Sequence, residues 1–150
     1  MDFDGITISY VQCGVILPPV GDDMSRRLAF LHESLFRVLK KWQPESAAIE
    51  ETFVNKNAAS TLKLGQARGV VMLTPALVGL EVAEYHNRVV KLSVVGTGRA
   101  AKQQIHVMVK HLLPGANPES EDEADALAIA ICHAHHSSRK IEGLGAGAHK

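Results

Sequence analysis

The chain has 150 residues, 46% hydrophobic and 21% charged, which suits one ordinary globular domain with its own core and excludes a disordered polar chain. Its 16 basic and 16 acidic groups cancel formally, so net charge alone gives no support for a polyanionic partner. Five of the acids, Glu119, Glu121, Asp122, Glu123 and Asp125, share one short stretch, and the remainder carries 16 basic against 11 acidic groups. Metal ions neutralising part of that cluster would leave a modestly basic surface. No apolar run approaches the ~18 to 20 residues that span a bilayer. The opening Met1-Asp2-Phe3-Asp4-Gly5 has no basic region ahead of an apolar one, so the expectation is a cytoplasmic protein with no membrane partner. Cys13 and Cys132 lack metal-ligand spacing and are expected as reduced core thiols.

In chain order, residues 6–11 alternate apolar with polar and lead into Val15-Ile16-Leu17 before Pro18-Pro19, the pattern of an extended strand or a bent pair. Asp22 and Asp23 can cap a helix with Leu28, Leu31, Leu35, Val38, Leu39 and Trp42 on one face, ending before Pro44. Residues 46–52 read as a short buried strand. From Asn57 a second helix is expected, with Gly65 and Gly69 on one side. Each of those glycines costs about 1 kcal/mol against Ala. A close backbone approach would account for that cost, either inside the chain or at a subunit interface. Pro75 should kink or end this helix. Residues 82–85 form a third candidate strand, followed by a short segment over 88–95, a Gly96-Thr97-Gly98 turn and a helix over 100–113. The last helix is expected from about Glu121 to near Ser137. The domain is then 1–142, with a flexible tail over 143–150. Alternating helices and strands point to an α/β sheet.

Glu50 closes the apolar run Ala47-Ala48-Ile49, while Asp122 and Asp125 stand three apart at the head of the last helix. Spacing of i and i+3 puts these two on one helical face. Acids in a first turn also complement the positive end of the helix dipole, so a solvated acidic cap explains them as well as a metal site does. Glu50 adds weight to the metal reading, because burying an unpaired carboxylate costs several kcal/mol. It must reach the surface or have a partner. His133, His135 and His136 fall near the expected helix end, where they complement its negative terminus, and no further Cys or His has zinc spacing.

Four blocks carry a resemblance that covers nearly the whole chain. They are Ala48-Ile49-Glu50-Glu51-Thr52-Phe53-Val54-Asn55-Lys56-Asn57, Leu62-Lys63-Leu64-Gly65-Gln66-Ala67-Arg68-Gly69-Val70, Lys91-Leu92-Ser93-Val94-Val95-Gly96-Thr97-Gly98-Arg99-Ala100-Ala101-Lys102-Gln103-Gln104, and Glu123-Ala124-Asp125-Ala126-Leu127-Ala128-Ile129-Ala130. In this order they resemble the RuvC-type Holliday-junction resolvases, endonucleases on an RNase H-like α/β fold with a mixed central sheet flanked by helices. The resemblance implies that Glu50, Asp122 and Asp125 are catalytic metal ligands. It implies magnesium, with manganese as a substitute, since hard oxygen donors favour these ions. Phe53 corresponds to an aromatic that meets bases at the junction centre, though a core Phe after a strand is the plainer reading of the residue alone. Lys91 and Lys102 fall where the family places basic groups near the DNA, and Lys56, Arg68 and Arg99 are candidates for backbone contacts. The implied partners are four-way junction DNA, a second copy of the chain in a homodimer, and the RuvA and RuvB branch-migration proteins.

One departure qualifies the resemblance. The family opens with a strand bearing a Gly-Ile-Asp-Pro-Gly-like motif whose Asp is a further metal ligand, whereas the match here begins near Phe3. Asp2 and Asp4 are expected in a turn and do not replace it. The expectation is therefore a junction resolvase by family, with little cutting by these 150 residues alone. A non-catalytic junction binder and another RNase H-like nuclease are the alternatives.

Overall fold

A computed structural model describes residues 1–51 and 57–145. Its elements in order are β1 (Asp2–Phe3), β2 (Ile8–Ser9), α1 (Met24–Trp42), β3 (Ala47–Glu50), α2 (Ala58–Leu77), β4 (Val82–Tyr85), α3 (Asn87–Val95), α4 (Lys102–Leu112) and α5 (Glu121–Gly145). The chain divides into two compact units, one comprising Ile16–Glu84 and the other Met1–Val15 with Tyr85–Lys150.

In the unit of Ile16–Glu84, α1 follows Asp23 as expected, although the Asp23 side chain makes no capping bond. Its carbonyl accepts from Arg27 N at 3.0 Å instead. The helix stops at Gln43, which is left-handed at φ 43 and returns its N–H to Leu39 O, immediately before Pro44. α1 packs against α2, and one buried polar link joins them. His32 Nδ1 lies 2.9 Å from Thr74 Oγ1, and that hydroxyl donates to Val70 O at 2.8 Å. A hydroxyl has one proton, so His32 Nδ1 is the donor to Thr74. The Asn57 side chain caps α2 by accepting from Ser60 N at 3.1 Å. Pro75 sits inside the last turn, and the helix closes just beyond it. Gly79 takes φ 86, its N–H reaches Ala76 O, and Leu80 N reaches Pro75 O, both at 3.0 Å. This is a Schellman closure, and it needs the left-handed residue that glycine supplies. A Cβ added at Gly65 or Gly69 would meet nothing within 4 Å. Of the two accounts of these glycines, a close internal approach therefore has no counterpart among the described residues. Strand β3 pairs with β4 as a two-stranded sheet, and the adjoining Ala47 N donates to Glu81 O at 2.9 Å.

In the other unit, β1 and β2 pair antiparallel with Phe3 opposite Ile8. The strand expected over 6–11 contracts to Ile8–Ser9 because Asp4 holds its N-terminal end in a turn. Asp4 Oδ1 accepts from Ile6 N at 2.9 Å and Thr7 N at 2.7 Å, an Asx-type competitor to extended pairing. The core lies among α3, α4 and α5, where Val90, Val94, Ile105, Val109, Leu113, Leu127, Ala128, Ile131 and Cys132 are buried together. On α5 the buried positions 124, 127, 128 and 131 recur at 3, 4 and 7 residues, the stripe an amphipathic helix presents to a core.

α5 runs beyond the expected end near Ser137 and continues through Gly145. Ser137 Oγ donates to His133 O at 2.9 Å, a back-bond that lets serine stay in a helix. Residues 143–145 of the expected tail are therefore helical, and 146–150 lie outside the described residues.

Candidate functional site

The first turn of α5 is set by a reciprocal cap. Ser120 Oγ accepts from Glu123 N at 3.2 Å, while Glu123 Oε2 accepts from Ser120 N at 3.0 Å and from Glu119 N at 2.6 Å. The signal for it, Ser-x-x-Glu ahead of an apolar run, is present in the sequence at residues 120–123 but was not part of the expected helix start. The cap commits the Glu123 carboxylate to the backbone. Glu121 is committed as well, because its Oε2 lies 2.7 Å from Lys102 Nζ. That hydrogen bond, and then the lysine's charge, hold the Glu121 carboxyl below its ordinary value. The same bond is the first cause holding Lys102 above its own ordinary value, followed by the charges of Glu121, Asp125 and Asp122. Lys102 thus feels both aspartates across the starts of α4 and α5.

Asp122 and Asp125 share one helical face, the first exposed and the second half-buried. Asp122 makes no hydrogen bond or contact ion pair among the described residues, although its charge acts on Lys102. Of the five clustered acids, Glu121 and Glu123 are thereby engaged in structure. Among the described residues no group of three or more His, Cys, Asp or Glu side chains is assembled as a metal set. Two aspartates are nonetheless a suitable donor pair for a hard cation, since magnesium is commonly held by one or two carboxylates together with substrate phosphates.

Glu50 ends β3 in the unit of Ile16–Glu84 and is half-buried. Its carbonyl accepts from Arg68 Nη1 at 2.6 Å, and Arg68 Nη2 makes an ion pair with the Glu84 carboxylate of β4. The guanidinium, expected among the DNA contacts, bridges the two strands of this sheet, and its planar fork suits the double engagement. Lys91 is half-buried on α3, and Arg99 is exposed in the loop that follows it. Phe53 and Lys56 lie outside the described residues.

The three histidines do not sit at a helix end, because α5 extends past them. His133 Nδ1 is 2.9 Å from Tyr85 Oη, His135 Nδ1 is 3.1 Å from Ser93 Oγ, and His136 Nδ1 is 2.8 Å from Cys132 O. Through this ring nitrogen His133 and His135 fasten α5 to Tyr85 and Ser93, whereas His136 bonds back into its own helix.

The family model described as "Crossover junction endodeoxyribonuclease RuvC" matches residues 2–133. The chain belongs to the RuvC family. Its similarity to crossover junction endodeoxyribonucleases RuvC extends to 57% identity over 136 residues with the protein of Xanthobacter autotrophicus and 58% over 136 residues with that of Azorhizobium caulinodans. Each alignment covers 91% of this chain and 80% of the relative. Among solved structures, the chain is similar to T. thermophilus RuvC in complex with Holliday junction substrate, with a TM-score of 0.85 and 28% identity over 93% of this chain and 86% of that one. The RNase H-like α/β class expected from the sequence is thus the fold of this RuvC family member.

Proposed function

We propose that this protein resolves Holliday junctions in DNA recombination and repair by divalent-metal-dependent hydrolysis of phosphodiester bonds. The reading is supported by the RuvC family match over residues 2–133 and by the common face that Asp122 and Asp125 occupy at the head of α5. Asp122, Asp125 and Glu50 are the carboxylates we assign to the metal, with magnesium the physiological ion and manganese able to replace it. When bound, such ions activate water and stabilise the leaving oxygen. The chain itself supplies anionic oxygen donors and the neighbouring cation of Lys102, which is suited to a phosphate near the carboxylates. Lys91, Arg99 and Lys56 are further candidates for backbone contacts, whereas Arg68 is engaged with Glu50 and Glu84; Phe53 is a candidate for stacking on a base at the junction centre, an interaction worth roughly 1 to 3 kcal/mol.

The reading includes a homodimer, because paired symmetrical cuts in a four-way junction call for two sites related by a two-fold axis. Leu62, Leu73 and Leu77, at 65%, 56% and 67% exposure, lie on α2 in register with Gly65 and Gly69 and form an apolar stripe with helical spacing. A second copy seated there would give both glycines the close approach they lack within the chain. Branch-migration partners of the RuvA and RuvB type and a cytoplasmic location fit the same role.

The test is cleavage of a synthetic four-way junction in magnesium by the protein expressed from its own gene. Glu50→Gln and Asp125→Asn should each lower the cutting rate by at least about 100-fold and leave metal-free junction binding within a few-fold. Cutting that persists in both variants would sink the assignment. Tight junction binding with no metal-dependent cutting by the unsubstituted protein would make it a junction binder instead.

A further inference from the structure

The turn between α3 and α4 makes a small basic cleft. Gly96 ends α3 in the left-handed region at φ 78, returning its N–H to Leu92 O at 2.9 Å. Thr97 Oγ1 then accepts from Arg99 N at 3.4 Å. The turn opens a cleft of about 630 Å3 lined by Arg88, Thr97, Gly98 and Arg99. Arg88 belongs to the first turn of α3 and was not among the residues singled out from the sequence. Its side chain lies against Gly98 so closely that a Cβ there would come within 2.7 Å of Arg88 Cγ and 3.1 Å of Nε. The contact falls on the stem of the arginine, so any larger residue at 98 would drive Arg88 into a different rotamer.

Neither Arg88 nor Arg99 has an ion pair among the described residues. Two permanently charged arginines line this one cleft, and an anion held in it could accept charge-assisted hydrogen bonds from them. The Thr97 hydroxyl adds a neutral donor at the same place. Planar forks that donate to two oxygens at once match a phosphate better than a point charge such as chloride.

We infer that this cleft seats a backbone phosphate of the bound DNA, with Arg88 as a phosphate contact and Gly98 as the residue that admits its side chain. The inference rests on the junction-resolving function proposed above. A phosphate contact positions DNA without reading its sequence, so Arg88 sets affinity and register, and the chemical step belongs to the carboxylates.

The experiment is a salt titration of metal-free junction binding, followed by cutting rates at saturating DNA in magnesium. Arg88→Gln should weaken binding several-fold and reduce the slope of log K against log salt by about 1. The cutting rate at saturation should hold within about two-fold, because a lost uniform contact raises KM and spares kcat. Gly98→Ala should reproduce both effects, and combining the two substitutions should add little. Thermal unfolding of both variants should match the unsubstituted protein, since Arg88 is exposed. A slope unchanged in both single variants overturns the inference. Inhibition specific to inorganic phosphate, lost in Arg88→Gln with the slope intact, would also overturn it by placing a free anion in the cleft. If the unsubstituted protein neither binds nor cuts junctions, the functional reading fails first. If it does both and only the slope prediction fails, the cleft assignment falls alone.

Discussion

Lys102 Nζ lies 2.7 Å from Glu121 Oε2 and joins the first turn of α4 to the first turn of α5. Both side chains are largely exposed, at 66% and 71%, so the pair contributes little to stability. Its importance lies in what it does to the lysine. Lys102 is held beside Asp122 and Asp125 with its charge already matched, so in the role proposed for it an incoming phosphate would have to displace Glu121.

Glu121→Gln should therefore tighten metal-free junction binding several-fold. It should also steepen the salt slope by about 1, since Lys102 no longer has to surrender an internal counterion. In a Lys102→Gln background the same substitution should have almost no effect, and the unfolding midpoint should be unchanged in both. An equal gain in both backgrounds would mean that Glu121 acts through general charge and not through Lys102.

Arg68 has a different kind of role. It bonds to the Glu50 carbonyl at 2.6 Å and pairs with Glu84, with its own side chain only 17% exposed. Arg68→Met should lower the free energy of unfolding by about 1 to 2 kcal/mol, the lower part of the range for bonds to charged groups because Glu84 is partly solvated. Arg68→Lys should recover less than half of that loss, having one point charge where a fork is needed. Urea denaturation at neutral pH would measure both. A loss of binding in Arg68→Met with no loss of stability would contradict this placement and favour a direct DNA contact.

The two cysteines should differ in reactivity. Cys132 is fully buried, and burial is the main cause that pushes its thiol above the ordinary value. Cys13 is only partly buried. At pH 8 a thiol reagent should modify Cys13 well before Cys132, which should react at a rate limited by opening of the fold. The raised value also fixes a sign. Above the ordinary thiol pKa of about 8.5, the unfolded chain releases this proton before the folded one does. The contribution is complete below that pH and is lost as pH rises toward the folded value. Mass spectrometry of the labelled native chain, and unfolding midpoints measured between pH 7 and 10, would check these two outcomes.

If α2 forms the proposed dimer interface, Leu73→Glu should convert the dimer to a monomer at micromolar concentration while leaving the helical circular dichroism intact, because Leu73 is 56% exposed within the chain. Gly69→Leu should act in the same direction by blocking close approach of a second backbone. Light scattering on the eluting protein reads the mass directly. A variant that remains dimeric would place the interface elsewhere.

Much of this molecule was legible in the sequence where the determining forces are local. α1 starts just after Asp23, though without the side-chain cap expected there, and ends ahead of Pro44, and β4 appears over the residues expected, Val82–Tyr85. Helical periodicity alone puts Asp122 and Asp125 on a shared face. The strand expected over 6–11 is shortened to Ile8–Ser9 for an equally local reason, the Asp4 side chain accepting from two backbone N–H groups. α5 runs past the end expected near Ser137, where the Ser137 hydroxyl bonds back into its own helix.

Other features depend on residues far apart in the chain, and no window of sequence contains them. Composition and spacing determined that this is an α/β protein with a cluster of acids at a helix start, and the four blocks around those acids determined the family. They could not separate one acid from another. Only the tertiary structure decided that Glu121 answers Lys102 across 19 positions, that Arg68 serves the β3–β4 sheet, and that Arg88 shares a cleft with Arg99. The physical reason is the short reach of these interactions. A hydrogen bond or ion pair forms within a few ångströms, and which groups come that close is settled by how the helices pack.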